Sequence, residues 1–271
     1  MRRLRVDDER WRRAQEAELA LWQAWSAGSG WRRRVWPLVR PLLAAVGSDR
    51  GTGDDWNRWW AEQFDGYSFL GNELGEIIEL GCGPFTNVRH ILRGRTASRV
   101  VCSDPLARHY VQFRGRWLAD AHRKGRVVVD DHPLEELPFL PESFDVVVII
   151  NVLDHVRDAP LALRNAVGLV RPGGILVFGQ DLVPPSVAET SPDDDVYHPI
   201  RLAQTDVEPA LAEFQPIFRK DLPPSASRAP DTHAGTLIFA GSKLPRPADP
   251  RSPEAHDSPS RLSARRPDLG P

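Results

Sequence analysis

The chain has 271 residues, a formal net charge of −2 and a pI near 6.5, enough for one substantial α/β domain with extensions. Without a basic field it has no electrostatic footprint for nucleic acid, and two cysteines, Cys82 and Cys102, both in expected core β-structure, make no disulfide framework. No apolar run approaches the about 20 residues of a membrane span, and the first thirty residues are charged throughout, unlike a signal peptide, so a cytoplasmic protein with no membrane partner is expected.

Asp7 and Asp8 open a helix expected over 7–27, which stops at Gly28-Ser29-Gly30; Trp11, Leu19, Trp22 and Trp25 only roughly share its face. A basic and aromatic piece, Trp31 to Pro37, leads into an apolar stretch at 38–46 and a linker at 47–53. Within 54–64, Trp56, Trp59, Trp60 and Gln63 recur at i, i+3, i+4 and i+7, one face of a second helix with caps expected at Thr52 to Asp54. Eight of the nine tryptophans lie before residue 61, so residues 1–70 read as a tryptophan-rich helical cap. Its rings either glue the cap to the next domain or line a cavity where flat faces stack on a ligand.

The next unit spans 71–241. Glu76 to Leu80 is a short apolar strand, followed at once by Gly81-Cys82-Gly83 and, after Pro84, a helix over 87–92. Strand, glycine turn and helix together offer backbone N–H groups and a positive helix end to an anionic group such as a carboxylate. Thr86 stands where a dinucleotide fold carries its third glycine, so a pyrophosphate site is not favoured. Strand 99–103 ends in Asp104-Pro105, about twenty residues beyond the turn, where an acid accepts both hydroxyls of a ribose; a helix cap is the alternative. A helix over 106–123 and a strand over 127–129 follow, then Asp130-Asp131-His132-Pro133, Leu134 to Phe139, Ser143-Phe144-Asp145 and a fourth strand over 146–150. Asn151 to Val156 forms the loop after it, and Arg171-Pro172-Gly173-Gly174 turns into a fifth strand over 175–178. Residues 181–200 leave the sheet; a helix at 205–214, a strand at 215–220 and a last strand at 233–240 close the domain. From 242 a proline-rich tail reads as disordered.

Glu79-Leu80-Gly81-Cys82-Gly83 resembles motif I of the class I S-adenosylmethionine-dependent methyltransferases. Leu137-Pro138-Phe139, Ser143-Phe144-Asp145, the Asn151 to Val156 loop and Arg171 to Gly174 follow in the order of the small-molecule methyltransferases often grouped as type 11, over roughly residues 76–180. The resemblance implies an α/β, doubly wound, Rossmann-like fold with a seven-stranded, mainly parallel sheet, here with an N-terminal helical extension. It implies S-adenosylmethionine as cofactor, held around Glu79, Gly81, Cys82, Gly83, Asp104, Pro105, Asp131, Leu134 and Asn151. The family's adenine-contacting acid falls where this chain has Pro133, so the role passes to Asp131, with Asp130 or His132 as substitutes.

Methyl transfer needs a base only when the acceptor carries a proton. His155, after the fourth strand, and His198, in Tyr197-His198-Pro199, are the catalytic candidates. Related sugar and catechol enzymes hold magnesium with carboxylates at the ends of strands four and five; Asn151 and Gln180-Asp181 offer one carboxylate and two amides, so no metal is expected. Asp154 and the acids at 193–195 would add charge, the latter reading as a solvated loop. The expected function is O-methylation of a sugar or aromatic hydroxyl on a small molecule. The alternatives are an N- or C-methyltransferase and a non-catalytic, cofactor-binding regulatory or partner subunit. A nucleotide-sugar or NAD enzyme is argued against by Leu137 to Phe139 and Ser143 to Asp145, RNA methylation has only the arginine-rich N-terminus in its favour, and a homodimer is left open.

Overall fold

The computed structural model describes residues 4–27, 57–189, 195–227 and 235–245. The expected basic piece at 31–37, the linker, the caps at 52–54, Trp56, the acids at 193 and 194, His233 and the tail beyond 245 lie outside the described residues.

Seven strands, β1 (Glu76–Leu80), β2 (Arg99–Ser103), β3 (Val128–Asp130), β4 (Phe144–Ile150), β5 (Val170–Leu182), β6 (Phe214–Leu222) and β7 (Gly235–Lys243), form one sheet in the order β3-β2-β1-β4-β5-β7-β6. β1 to β5 are parallel and β7 inserts antiparallel between β5 and β6, which is the doubly wound, mainly parallel sheet the sequence predicts. The run Val146 to Ile150 is buried throughout because a parallel strand is covered on both faces. The helices are α1 (Asp8–Ala27), α2 (Arg58–Gln63), α3 (Val88–Ile91), α4 (Ala107–Tyr110), α5 (Trp117–Arg123), α6 (Ala159–Leu169), α7 (Pro185–Ala188) and α8 (Gln204–Leu211). On one face Leu163, Ala166 and Val167 of α6 and Val207 and Leu211 of α8 pack with Ile78, Val147 and Phe178. On the other, Trp60, Phe64, Val88, Ile91 and Leu118 pack with Ile77, Val146 and Val148.

The structure corrects several boundaries. The helix expected over 106–123 is two, α4 and α5, because Gly115 takes φ +70 between them. The helix at 87–92 is the single turn α3, ended before Gly94 at φ +72. The turn at 171–174 is a bulge inside β5, where pairing jumps from Phe144 with Val170 to Val146 with Ile175. Ser242 and Lys243 belong to β7 rather than the tail, and the Lys243 ammonium donates to the carbonyls of Val167 at 3.0 Å and Val170 at 2.8 Å. α6, which no sequence motif announced, starts at Asp158, whose carboxylate accepts the Leu161 N–H at 3.0 Å, with Pro160 in the first turn.

Trp60 is 1% exposed, edge-on to Trp59 at 4.9 Å. A Cβ on Gly179 of β5 would lie 2.8 Å from the Trp60 ring, so the indole seats directly on the sheet backbone. For this ring the structure selects the packing role. Among the described residues no helix is long and apolar enough to cross a membrane.

Candidate active site

The sheet order reverses at β1, with β2 on one side and β4 on the other, so the carboxyl ends of these strands open on one crevice. Gly81 follows β1 at φ +64, and a Cβ there would lie 2.4 Å from the Val152 side chain in the loop after β4. Only glycine lets the two loops close together. Gly83, at φ +56, has nothing within 4 Å of its Cβ position, so the turn keeps open space on that side.

Glu79 is buried, and its carboxylate accepts from the Thr86 hydroxyl, from the Asn87 amide N–H at 2.8 Å and Nδ2 at 2.9 Å, and from the Val88 N–H at 3.1 Å. Burial raises its pKa while these donors pull it down. Here the structure corrects the expectation of a helix N-terminus facing an anion. α3 is one turn long, and Glu79 itself takes the donors at Asn87 and Val88. Glu79 builds the loop from behind, and Thr86, in the third-glycine position, locks it. Cys82 lies in the core, donating its N–H to the Ser103 carbonyl at 3.1 Å; burial pushes its thiol up, and both cysteines are free.

Asp104 ties the first turn to the second: one carboxylate oxygen accepts the Gly83 N–H at 3.0 Å and the other the Leu106 N–H at 2.8 Å. Burial, with the nearby Glu18 carboxylate, pushes its pKa to about 7. Pro105 beside it is half-buried. Asp131 is paired with Arg108, whose Nη2 lies 3.1 Å from its Oδ1 and holds the carboxyl below its ordinary value. Asp130 accepts the Ser103 hydroxyl at 2.8 Å and has His132 Nδ1 2.8 Å from its other oxygen. Leu134 is turned into the core and offers the crevice no side chain; its carbonyl accepts from Asn165 Nδ2 at 2.8 Å. Asn151, at φ +56, braces β4 to β5, its Oδ1 accepting the Asp181 N–H at 3.2 Å. Asp181 accepts the Thr236 hydroxyl at 2.5 Å, so the ends of β4 and β5 are occupied with each other.

α1 lies across this carboxyl edge. Arg5 pairs with Asp158 at 2.7 Å, the Trp11 indole N–H donates to the His155 carbonyl at 3.2 Å, and the Trp22 ring meets Phe85 of the glycine turn edge-on at 5.2 Å. Glu18 accepts from the Trp22 indole at 3.2 Å and the Tyr110 hydroxyl at 3.4 Å, and its other oxygen lies 3.6 Å from His155 Nδ1. One helix thus touches the loops after β1, β2 and β4.

At the β4 end of the crevice the two candidate histidines meet, their ring centroids 4.7 Å apart. Asp154 Oδ1 lies 3.9 Å from His155 Nε2, and His198 Nδ1 lies 2.7 Å from Asp195 Oδ2. Burial works to lower the His198 pKa, but the Asp195 hydrogen bond and the charges of Asp154, Asp195 and Glu18 outweigh it and push it up to about 9. Sequence reasoning missed Glu18, which sits in a helix with no motif, and weighed Asp195 only as added charge for a metal or as part of a solvated loop. Asp154 had one signal, the charge it would add to a metal site.

Residues 78–178 match the family model for a methyltransferase domain. The chain is 31% identical over 118 residues to a 27-O-demethylrifamycin SV methyltransferase of Amycolatopsis mediterranei, covering 43% of this chain and 42% of that one. It is 29% identical over 103 residues to a ubiquinone biosynthesis O-methyltransferase of Rhizobium etli, covering 37% and 38%. The chain thus spans about two-fifths of the length of these curated relatives. In structure it resembles a geranyl diphosphate C-methyltransferase of Streptomyces coelicolor solved with S-adenosylhomocysteine, at TM-score 0.54 and 15% identity over 68% of this chain and 75% of that one, a likeness of fold.

Proposed function

We propose that this chain is a class I S-adenosylmethionine-dependent methyltransferase that methylates a hydroxyl of a small molecule, on a sugar or an aromatic ring. The cofactor supplies a methyl group on a sulfonium, already activated for direct displacement. The residues fit such a ligand: Gly83 leaves open space above the turn, and the Asp104 carboxylate, held by one N–H on each oxygen, keeps lone pairs for two ribose hydroxyls. Asp131, beside β3, is the acid we assign to the adenine end. α1 across the crevice helps to exclude water, which alignment and displacement both need.

The observation that carries the oxygen reading is the convergence of His155 and His198 with Asp154 at the β4 end of the same crevice. A hydroxyl must shed a proton as it is methylated, and the His155 imidazole beside the Asp154 carboxylate is placed to draw it off, with the cationic His198 next to it, whereas a thiolate or free amine would hardly need a base. The O-methylating relatives point the same way, and a net charge of −2 gives no support to an RNA acceptor. The test is to incubate the protein with methyl-labelled cofactor and metabolite extracts and identify the labelled product. A labelled small-molecule methyl ether is expected; label in RNA or on nitrogen or carbon of a metabolite contradicts the reading.

A further inference from the structure

We propose that Asp154, His155 and His198 form a binding site for a divalent first-row transition-metal ion at the acceptor end of the crevice. The proposal deepens the reading above, since it names what the acceptor-side cluster holds. One ligand-capable atom from each of the three residues falls within 4.8 Å of the other two. At metal–ligand distances of about 2.0–2.1 Å, tetrahedral ligands stand about 3.4 Å apart, so small side-chain rotations close the set. One carboxylate and two imidazoles form a borderline donor set, suited to zinc, manganese, iron or cobalt better than to magnesium or calcium.

The second observation is independent of that spacing: His198 and Asp154 are held from behind, and the buried His155 Nδ1 faces a carboxylate without a hydrogen-bond partner. His198 Nδ1 is engaged by Asp195 Oδ2 at 2.7 Å, which leaves Nε2 as the ring nitrogen that an ion would take by displacing its proton. His155 Nδ1 faces Glu18 Oε2 at 3.6 Å with no hydrogen-bond partner, while its Nε2 points toward Asp154. The Gln180 amide donates to Asp154 Oδ1 at 3.2 Å. A carboxylate on the far nitrogen of His198 and a donor on the ligating carboxylate are outer partners that metal sites use to fix ligand orientation, and Glu18 stands within reach of the far nitrogen of His155. Glu18, Asp154 and Asp195 put three carboxylates around two imidazoles, a surplus of negative charge that a dication offsets. The set is distinct from the ends of β4 and β5, where the sequence suggested looking for a metal. There Asn151 and Asp181 bond to each other and to Thr236.

The test is calorimetric titration of untagged, chelator-treated protein with zinc and with manganese, alongside S-adenosylhomocysteine as a check of folding and cofactor binding. Wild type should bind one ion; His198→Ala and Asp154→Asn should each weaken binding by at least tenfold, and Asp195→Asn, which touches no ion, by about 10- to 100-fold. All three variants should still bind S-adenosylhomocysteine. Wild-type protein that binds the cofactor product but no metal, or variants that bind metal as tightly as wild type, would overturn the site. A variant that loses both ligands has lost its fold, and the other substitutions then decide. Failure of wild type to bind zinc or manganese, with methyl transfer to a hydroxyl intact, would overturn the metal site alone and leave the O-methylation reading standing, with His155 as the base.

Discussion

Asp104, which accepts the Gly83 and Leu106 N–H groups, is the residue we propose for ribose recognition. Asp104→Asn replaces one acceptor oxygen with a donor, so affinity for S-adenosylhomocysteine should fall by about 1.5–3 kcal/mol, roughly 10- to 150-fold. An unchanged affinity would leave Asp104 as a cap on the turn before α4. Its pKa near 7 adds a pH dependence with a definite sign. The group is protonated below that value and ionised above it, and only the ionised form accepts two ribose hydroxyls, so affinity should rise as pH climbs through about 7. The same rise should be missing in Asp104→Asn, and Glu18→Gln, which removes a neighbouring negative charge, should move the midpoint to lower pH. Glycine spacing and the offset to Asp104 were legible in the sequence because both are local to consecutive strands. Glu18 was not, because only the course of α1 across the sheet edge brings a residue near the N-terminus to Asp104 and His155. The hydrogen bonds of Glu79 to Thr86, Asn87 and Val88 were not legible for a related reason: spacing marks an acid beside a glycine turn but not which backbone groups it holds.

At the scale of elements, the tryptophans divide by where their helices lie. Trp60 on α2 is sealed against the Gly179 backbone, so Trp60→Ala should cost about 3–5 kcal/mol in urea denaturation. Trp22 on α1 meets Phe85 of the glycine turn and donates to Glu18, so Trp22→Ala should cost less stability and lower turnover or cofactor affinity. Equal stability losses with full activity in Trp22→Ala would return both rings to packing alone. The strands were readable because buried parallel strands are continuous apolar runs. The break between α4 and α5 was not, since Gly115 inside an amphipathic pattern is a stop only when its φ is positive. The bulge at 171–174 was read as a turn because Pro and Gly signal both.

At the scale of the whole molecule, the doubly wound sheet opens a crevice at the β1 and β4 junction, and the segment after β5 returns His198 to the loop after β4. That return was unreadable locally: His155 and His198 were catalytic candidates in two separate loops, and their pairing exists only in the folded chain. The measurement that tests the account most directly is the kcat of His155→Ala with the acceptor identified by isotope transfer, taken together with its affinity for S-adenosylhomocysteine. The account predicts a kcat lower by about 10² to 10⁴ with cofactor affinity nearly unchanged. Undiminished turnover, or a loss confined to cofactor binding, would contradict it.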